Sequence, residues 1–469
     1  MYREMIRLDI LFYLLISTII SIATIIYISF TVPLAFSYRQ KFSSSKVNKN
    51  DITALIPVYN ENVNTFKEVI NSVKENGINF IVVGDGCDQP YREIVESSGG
   101  VFIGLAKNGG KRNAIREGFK YVKTPYVLLL DSDTVLPKGA IEKLSSKLDD
   151  KVVAVSPEIR VMPGKDKNVY YISEMMQRLR ELSYRALQKV GSIVSLNGQC
   201  ILVKTEVIRP LIESGDFKSV KLWRFTTILG DDRQITNYIY SKGYKAIVTS
   251  EVMVKTKAPD NLKGLLRQLV RWYRSNNFFL IKELTDGTLM KKGFFYAFTL
   301  LYWYTLPLLS LSNYLLYTEI VMRHILTHWN IIVKVITRDP IKFIEYVIVR
   351  RINNVFNLDP SPVTREISKL SHLSPNFYHH YFYHRHILVI NQKPLDVNII
   401  FFYYFYNFHN LVGEISTIVS IIMILTIILY TKKSFREFTI GMLAFPLMFF
   451  ADIFALFTIW KQKKWSGRS

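Results

Sequence analysis

The stretch Tyr126-Val-Leu-Leu-Leu-Asp-Ser-Asp-Thr134 decides how the rest of the chain is interpreted. Its continuous apolar run predicts a strand that is buried on both faces of a sheet. Two carboxylates, Asp131 and Asp133, follow at the end of this strand, where open α/β sheets bind their ligands. Such a pair can hold one divalent cation together with a phosphate oxygen. The alternative is an Asx turn that only closes the strand, because Asp and Ser favour turns.

The composition indicates a soluble domain joined to membrane segments. The chain is 49% hydrophobic with a mean hydropathy of +0.14, although it contains 60 Lys and Arg residues. The net charge is +22, and basic residues flank the apolar segments. Anionic lipid headgroups and a nucleotide diphosphate are therefore expected partners rather than nucleic acid. Two cysteines, Cys87 and Cys200, give no disulfide framework. All histidines lie at or beyond His324, so chemistry nearer the N-terminus would depend on carboxylates, lysine, arginine and a metal.

Several long apolar stretches predict a multi-pass protein of the plasma membrane. They are residues 10–36, 293–318, 415–430 and 438–460. A cleaved signal peptide is the alternative for the first stretch, but its apolar region would be shorter. Basic residues after the first stretch favour a cytoplasmic location for the domain that follows. Asp452 interrupts the last stretch, and we expect it to face protein or water rather than lipid.

Residues 51–250 alternate strand-like and helix-like segments, which predicts a mostly parallel α/β sheet with helices on both faces. The segment 210–221 is expected to be a loop, and residues 262–273 suit a basic amphipathic helix on a membrane surface. We therefore divide the chain into four regions. They are an N-terminal membrane helix and linker (1–50), the α/β domain (51–260), interfacial helices (261–292) and a C-terminal membrane region (293–469) with an unplaced insertion at about 321–398.

Four charged clusters lie where predicted strands end or predicted helices begin, and a doubly wound sheet would bring them to one rim. They are Asp85, Gly109-Gly-Lys-Arg-Asn113, Asp131 with Asp133, and Asp231 with Asp232. The glycine-rich turn can offer backbone amides and two cations to an anion. A metal on Asp133 can neutralise a diphosphate, and Asp231 or Asp232 can serve as a general base. Each cluster alone is weak evidence, so their combination carries the hypothesis.

The motifs in their order resemble those of family 2 glycosyltransferases. They are Ile56-Pro-Val-Tyr-Asn-Glu61, Asp85-Gly86, Gly110-Lys-Arg112, Asp131-Ser-Asp133, Gly230-Asp-Asp-Arg233 and Gln268-Leu-Val-Arg-Trp272. The last motif, on a basic amphipathic helix before membrane segments, is similar to the processive branch that holds hyaluronan, chitin and cellulose synthases. The resemblance is strongest to hyaluronan synthases and covers about residues 51–290. It implies a cytoplasmic domain of the glycosyltransferase A type, which is Rossmann-like, together with transmembrane and interfacial helices.

This resemblance also implies ligands and roles. It implies a UDP-sugar donor, Mn²⁺ or Mg²⁺, the lipid bilayer, and a growing polysaccharide or glycolipid as acceptor. The donor would be held by Tyr59 on the uracil, Glu61 on the nucleoside, Asp85 on the base, Lys111 near the sugar or phosphate, Asp131 on the donor, Asp133 through the metal, and Gln268 and Arg271 on the diphosphate. Asp232 would be the base, with Asp231 as the alternative. Trp272 would face the acceptor sugar, unless it is only an interfacial membrane anchor.

The C-terminal segment Lys464-Trp-Ser-Gly-Arg468 resembles the gating loop of hyaluronan synthases in abbreviated form. This implies that Trp465 and Arg468 close over the UDP, whereas the alternative is a basic tail. One N-terminal and three C-terminal spans would place this tail outside the cell. Either one apolar stretch is therefore interfacial, or a further span lies within residues 321–398, or the gating interpretation is wrong.

Two departures from the family pattern leave the product open. One N-terminal span is present where hyaluronan synthases of bacteria are expected to have two. Leu196-Asn-Gly-Gln-Cys200 replaces the usual Ser-Gly-Pro near the acceptor, which puts acceptor identity and processivity in doubt. The alternatives to a processive, inverting synthase are an enzyme that adds one sugar to a lipid carrier and a transporter with a nucleotide-sensing domain.

Overall fold

The computed structural model describes residues 2–40, 47–327, 329, 397–431 and 434–461. Most of the predicted insertion at 321–398, its histidine-rich stretch, and both Trp465 and Arg468 lie outside the described residues. Nine strands are described: β1 (Ile52–Val58), β2 (Asn79–Asp85), β3 (Val101–Leu105), β4 (Tyr126–Leu130), β5 (Val152–Met162), β6 (Cys200–Lys204), β7 (Val220–Leu222), β8 (Phe225–Thr227) and β9 (Lys245–Lys257).

Seven of these strands form one sheet in the order β3-β2-β1-β4-β6-β5-β9. Strands β3, β2, β1 and β4 are mutually parallel, as are β5 and β9. Strand β6 runs antiparallel to both of its neighbours. The prediction of a mostly parallel α/β sheet is confirmed, with β6 as the exception. Strands β7 and β8 form a separate hairpin.

The helices are numbered in chain order over the described residues. They are α1 (Tyr2–Ser37), α2 (Val63–Glu75), α3 (Tyr91–Ser97), α4 (Lys111–Phe119), α5 (Ala140–Ser145), α6 (Lys167–Lys189), α7 (Thr205–Glu213), α8 (Asp231–Ser241), α9 (Leu262–Thr285), α10 (Thr288–Lys291), α11 (Phe294–Thr327), α12 (Val397–Thr431), α13 (Phe435–Gly441) and α14 (Ala444–Leu456). The prediction of a loop at 210–221 is wrong at both ends, because α7 continues through Pro210 to Glu213 and β7 begins at Val220. The burial of Ile208, Leu211 and Ile212 on one face of α7 outweighs the poor helix propensity of proline.

Alternate residues of β4 enter two different apolar clusters, one on each face of the sheet. Val127 and Leu129 belong to the cluster that includes α4, α7 and α8, whereas Leu128 and Leu130 belong to the cluster that includes α2, α3 and α5. This two-sided burial confirms the interpretation of the apolar run. Burying each such side chain contributes about 1.5–3 kcal/mol, so the carboxyl end of β4 is a rigid base for the acids that follow it.

Within the described residues, four helical segments are long and apolar enough to cross a membrane: Asp9–Ser37, Phe294–Arg323, Phe405–Thr431 and Phe435–Leu456. The chain divides into two compact units, one of residues 1–25 and 309–420 and the other of residues 26–308 and 421–469. In the first unit, Arg323 pairs with Asp9 at 3.0 Å. The second unit contains the whole sheet and every site residue discussed below.

Helices α13 and α14 pack along α6 and α9 of the second unit. A Cβ atom at Gly441 would lie 3.0 Å from Met175 Cε on α6. Further along, Asn277 of α9 donates to Asp452 Oδ1 at 2.8 Å, so the prediction that this acid faces protein is confirmed. Arg274 of α9 then donates to Thr458 Oγ1 at 2.9 Å, which places the end of this stretch beside α9 as well.

Candidate active site

Lys111 joins three of the four charged clusters that the sequence predicts at the rim of the sheet. Its Nζ atom lies 2.7 Å from Asp131 Oδ1 and 3.3 Å from Asp231 Oδ2. The same atom donates to the carbonyl oxygen of Gly198 at 3.2 Å. Burial lowers the pKa of Lys111, but the two carboxylates outweigh it and hold the pKa above its usual value. The lysine is therefore a fixed positive charge, and it lines a small cleft together with Asp131, Asp231 and Gly198.

Asp85 is bound by the glycine-rich turn instead of being free at the rim. Its two carboxylate oxygens accept the backbone N–H groups of Gly109 at 2.7 Å and Gly110 at 2.8 Å. The side chain is almost fully buried. The expectation that these amides are offered to a ligand anion is therefore wrong for this structure, because an internal carboxylate already accepts them.

Arg112, the second cation of this turn, points into the protein. It donates to the carbonyl oxygens of Phe217, Ile228 and Leu229 at 2.8–2.9 Å. Only 5% of its surface is exposed, so the prediction of two available cations is wrong. Arg112 instead holds the segment that leads into the turn at Gly230.

Helix α9 packs directly against this turn. Gly230 has a φ of +70°, and a Cβ atom there would lie 2.4 Å from Ser275 Oγ and 2.7 Å from Phe279 Cε2. No residue other than glycine fits both the backbone and the contact. The Gln268–Trp272 motif precedes Ser275 on the same helix, so it lies one to two turns from this contact.

Gln268, Arg271 and Trp272 of α9 are all partly exposed. Trp272 packs against an apolar cluster contributed by α6, α9, α12, α13 and α14. This packing suits an interfacial anchor, and the role of Trp272 towards an acceptor sugar stays a prediction.

The two acids at the start of α8 have different environments. Burial raises the pKa of Asp231, but Lys111 and Arg112 outweigh it and hold the pKa below its usual value. Burial and repulsion from Asp231 raise the pKa of Asp232 to about 6. Asp231 is thus a permanent anion paired with lysine, whereas Asp232 titrates close to neutrality, as a general base should.

Asp232 lies against a loop that the sequence singled out only as a departure from the family. A Cβ atom at Gly198 would lie 3.2 Å from Asp232 Cβ. The loop is held by Asn197, whose Nδ2 donates to the carbonyl oxygen of Pro157 at 2.6 Å, and by Gln199, whose carbonyl accepts from Asp131 N at 2.9 Å. The glycine in Asn-Gly-Gln was the available signal, because a glycine between strands often marks a close approach.

Arg180 of α6 is a charged residue near the site that sequence reasoning missed. Its guanidinium stacks 5.0 Å from the ring centre of Tyr184. Among the smaller contributions to the pKa of Asp232, that of Arg180 lowers it. The sequence carried no signal for it, since Arg180 belongs to a helix that the sequence analysis did not predict.

The acids after β4 fit a divalent cation that is bound together with a ligand. The described residues contain no cluster of three His, Cys, Asp or Glu side chains that could hold a metal by itself. Mg²⁺-like cations need only one or two carboxylates when substrate phosphates supply other oxygens. Lys111 pairs with Asp131, and the assignment of a cation to Asp133 stays a prediction. Ser132 between them donates to Glu61 Oε2 at 3.4 Å and so ties this loop to the end of β1.

Comparisons with known proteins agree with this geometry. Residues 50–275 match the family model described as "Glycosyltransferase like family 2". The matched part, slightly less than half of the chain, is similar to family 2 glycosyltransferases. Together with the observed sheet, this match confirms the predictions of an enzyme and of this fold class.

Two relatives show the closer similarity. The poly-beta-1,6-N-acetyl-D-glucosamine synthase of Staphylococcus aureus (strain MSSA476) is 26% identical over 289 residues, which are 58% of this chain and 66% of the relative. An N-acetylglucosaminyltransferase of Azorhizobium caulinodans is 24% identical over 238 residues, covering 48% of this chain and 59% of the relative. The chain therefore spans slightly less than two thirds of these relatives. Both names point to N-acetylglucosamine enzymes and neither singles out hyaluronan synthases.

A solved structure gives a weaker match. The mannosyltransferase from Pyrobaculum calidifontis in complex with GDP-Man and Mn²⁺ has a TM-score of 0.48 and 14% sequence identity. The match covers 65% of this chain and 87% of that one.

Proposed function

We propose that this protein is a membrane-embedded, inverting glycosyltransferase that elongates a polysaccharide from a UDP-sugar with the help of Mn²⁺ or Mg²⁺. The observation that carries the proposal is the convergence of Lys111, Asp131, Asp231 and Asp232 at one rim, with α9 packed on the same turn. A carboxylate of raised pKa beside an acid pair and a fixed lysine suits group transfer from a diphosphate leaving group.

The donor side of the site would be formed by the ends of β1, β2 and β4. Tyr59 is 57% exposed at the end of β1 and is available to stack on uracil. Glu61 would hold the nucleoside, and Asp85 would reach the base through any lone pair that Gly109 and Gly110 leave free. A cation on Asp133 would neutralise the charge of the leaving UDP. Lys111, Asp131, Gln268 and Arg271 would position the diphosphate and the sugar.

The acceptor side would be formed by α8 and α9. Asp232 would take the proton of the acceptor hydroxyl, and the oxygen would then attack the anomeric carbon in line with the departing UDP, which inverts its configuration. Asp231 is the weaker candidate because Lys111 holds it as a low-pKa anion. Trp272 would present its ring to the terminal sugar of the acceptor.

The membrane arrangement we propose places the sheet in the cytoplasm and the polymer path through the protein's own membrane helices. Helices α13 and α14 contact α6 and α9 along their length, which favours an interfacial position for this stretch over a transmembrane one. Ile459 packs against the cluster of Val220, Leu222, Phe278 and Phe279. Because Phe279 also lies against Gly230, Ile459 lies in the cluster that packs beside the proposed catalytic turn. Trp465 and Arg468 would close over UDP, as the resemblance implies.

The sugar and the product length are tested together. Full-length protein in nanodiscs is incubated with radiolabelled UDP-sugars and Mn²⁺, and the products are sized. UDP-N-acetylglucosamine is the first donor to test, because the names of both relatives specify N-acetylglucosamine. Long polymer is expected from one donor or one pair of donors, and its loss in Trp272→Ala with UDP binding intact would support the acceptor role. A single addition to lipid would leave only the non-processive alternative, and no turnover of any UDP-sugar would refute the enzyme proposal.

A further inference from the structure

A buried polar network lies behind the candidate base, on the opposite face of the first turn of α8. Arg233, the residue after Asp232, is only 1% exposed. Its Nε atom donates to Glu283 Oε1 of α9 at 2.9 Å, and its Nη1 atom donates to the carbonyl oxygen of Asn276 at 3.3 Å. The arginine of the Gly-Asp-Asp-Arg motif is therefore committed to α9 and is turned away from the rim.

Glu283 holds α8 at two points. Besides Arg233, it accepts a hydrogen bond from Asn237 Nδ2 at 2.8 Å. Arg233 and Asn237 are four residues apart and so lie on one face of α8. Two contacts on one face fix the rotation of the helix about its axis. Because successive residues are turned by about 100°, this rotation sets the direction of the Asp232 side chain.

The same network reaches the loop that faces Asp232. Lys292, which follows α10, donates from Nζ to Asn237 Oδ1 at 2.5 Å and to the carbonyl oxygen of Ile193 at 3.4 Å. Tyr296 completes the group by donating to Glu283 Oε2 at 2.8 Å. The loop from Ile193 continues to Gly198, so one polar cluster holds both sides of the candidate base.

A second set of hydrogen bonds joins the two sides directly. Thr236 Oγ1 donates to the carbonyl oxygen of Asp232 at 2.7 Å and accepts from Leu196 N at 2.9 Å. The spacing between Asp232 and the Gly198 loop thus depends on α8 keeping its rotation and its position along its axis.

Stability alone does not account for such a cluster. Replacing a buried ion pair by apolar residues of similar volume is often neutral or stabilising. We propose that Arg233 and Glu283 are positioning residues that hold Asp232 in the direction required for transfer. This inference rests on the proposed function, since it concerns the same reaction.

The test compares an apolar replacement of this pair with the same replacement of a second pair, in which the lysine is buried and the glutamate is partly exposed. Arg233→Met with Glu283→Leu removes this ion pair while keeping a similar side-chain volume, and it leaves Lys292 unchanged. The control is Lys147→Met with Glu251→Leu, because Lys147 Nζ pairs with Glu251 at 2.5 Å elsewhere in the domain and the lysine side chain is fully buried. The full-length proteins are compared in nanodiscs for thermal unfolding, for UDP binding in Mn²⁺ by calorimetry, and for kcat and KM with the donor that the wild type uses.

The expected result is a fall in kcat of ten- to a hundredfold for the Arg233/Glu283 variant, with UDP affinity and the KM of the donor within twofold of wild type. The control pair should keep its kcat, and Arg233→Lys should retain more activity than Arg233→Met because it keeps a charge beside Glu283. Unchanged kcat in the double variant, or an equal loss in the control, would overturn the proposal.

If the double variant does not fold, Asn237→Ala provides the test of positioning instead, because it removes one uncharged contact of Glu283. A fall in kcat at constant KM would support positioning, and a wild-type kcat would overturn it. Wild-type protein that turns over no UDP-sugar would instead remove the proposed function, and this inference with it.

Discussion

Two charged clusters lie on either side of the first turn of α8, and they differ in how completely their charges are balanced. At the rim, Lys111 pairs with Asp131 and Asp231, and Asp133 and Asp232 stand one or two residues from these acids in the sequence. In the interior, Glu283 is fully buried and accepts from Arg233, Asn237 and Tyr296.

The comparison shows that residue type does not distinguish a reactive cluster from a supporting one. At the rim, burial and then repulsion from Asp231 raise the pKa of Asp232 to about 6. In the interior, burial raises the pKa of Glu283, but Arg233 and Lys292 outweigh it and hold the pKa below its usual value. An acid with a partner for each oxygen stabilises geometry, whereas an acid beside another acid is available for chemistry.

Removing the base should give the largest effect at the rim. Asp232→Asn is expected to lower kcat by roughly 10²–10⁴-fold, since general base catalysis contributes about that factor. UDP binding should remain, because Asp232 lies on the acceptor side. The measurement is UDP release alongside calorimetry, with Asp286→Asn as an exposed-acid control at the end of α9. Wild-type turnover in Asp232→Asn would show that the rim does not supply the base.

Removing the proposed cation ligand should weaken donor binding, whereas removing the base should lower kcat. Asp133→Ala is expected to weaken Mn²⁺-dependent UDP binding by about tenfold or more, because the diphosphate charge is left uncompensated. Calorimetry with UDP in Mn²⁺ and in EDTA separates this effect from general damage, since the two conditions should give similar affinities in the variant. An affinity equal to wild type in Mn²⁺ would refute the role of Asp133.

The raised pKa of Asp232 predicts an acid limb in the rate profile. Below a pH of about 6 the base is protonated, so kcat/KM should fall about tenfold for each pH unit. Asp231→Asn removes the repulsion that raises this pKa and should move the limb to lower pH. The test is to measure kcat/KM between about pH 5 and 8, because a group that titrates near neutrality changes its charge in that range. A limb that does not move would mean that another group titrates.

The contact between Gly198 and Asp232 offers a milder perturbation of the same geometry. Gly198→Ala is expected to displace Asp232 by a few tenths of an ångström and to lower kcat about tenfold. Gly215→Ala is the matched control, because a Cβ atom there meets nothing within 4 Å. Equal rates for the two variants would mean that Asp232 tolerates displacement, and this would weaken the positioning argument too.

The smallest expected effect is on stability. The pKa of Asp232 is higher in the folded protein, about 6, than in the unfolded chain, about 3.9. Stability from this group is therefore fully present below a pH of about 4 and is lost as pH rises through about 6. Asp232→Asn should then stabilise the protein by roughly 1–3 kcal/mol at neutral pH and not at all near pH 4. Thermal unfolding at the two pH values measures this, and a destabilised variant at neutral pH would contradict it.

The sequence by itself determined the position of β4, the acids that follow it, the acids that open α8 and the apolar stretches that are long enough to cross a membrane. These features depend on local sequence pattern. The patterns are a continuous apolar run, a glycine before a helix, and long stretches without charged residues. It did not determine that Arg112 and Arg233 turn inward, although both stand in recognisable motifs. It also did not show that the Gly198 loop closes on Asp232 or that the final apolar stretch lies along α6 and α9.

Those features were decided only in three dimensions, because an arginine's direction depends on which carbonyl or carboxylate lies within reach across the fold. The partners of Arg112 lie more than a hundred residues further along the chain, and that of Arg233 lies on another helix. Local pattern therefore shows which residues can carry charge to a site, whereas long-range packing decides which of them are left with an unbalanced charge and so can react.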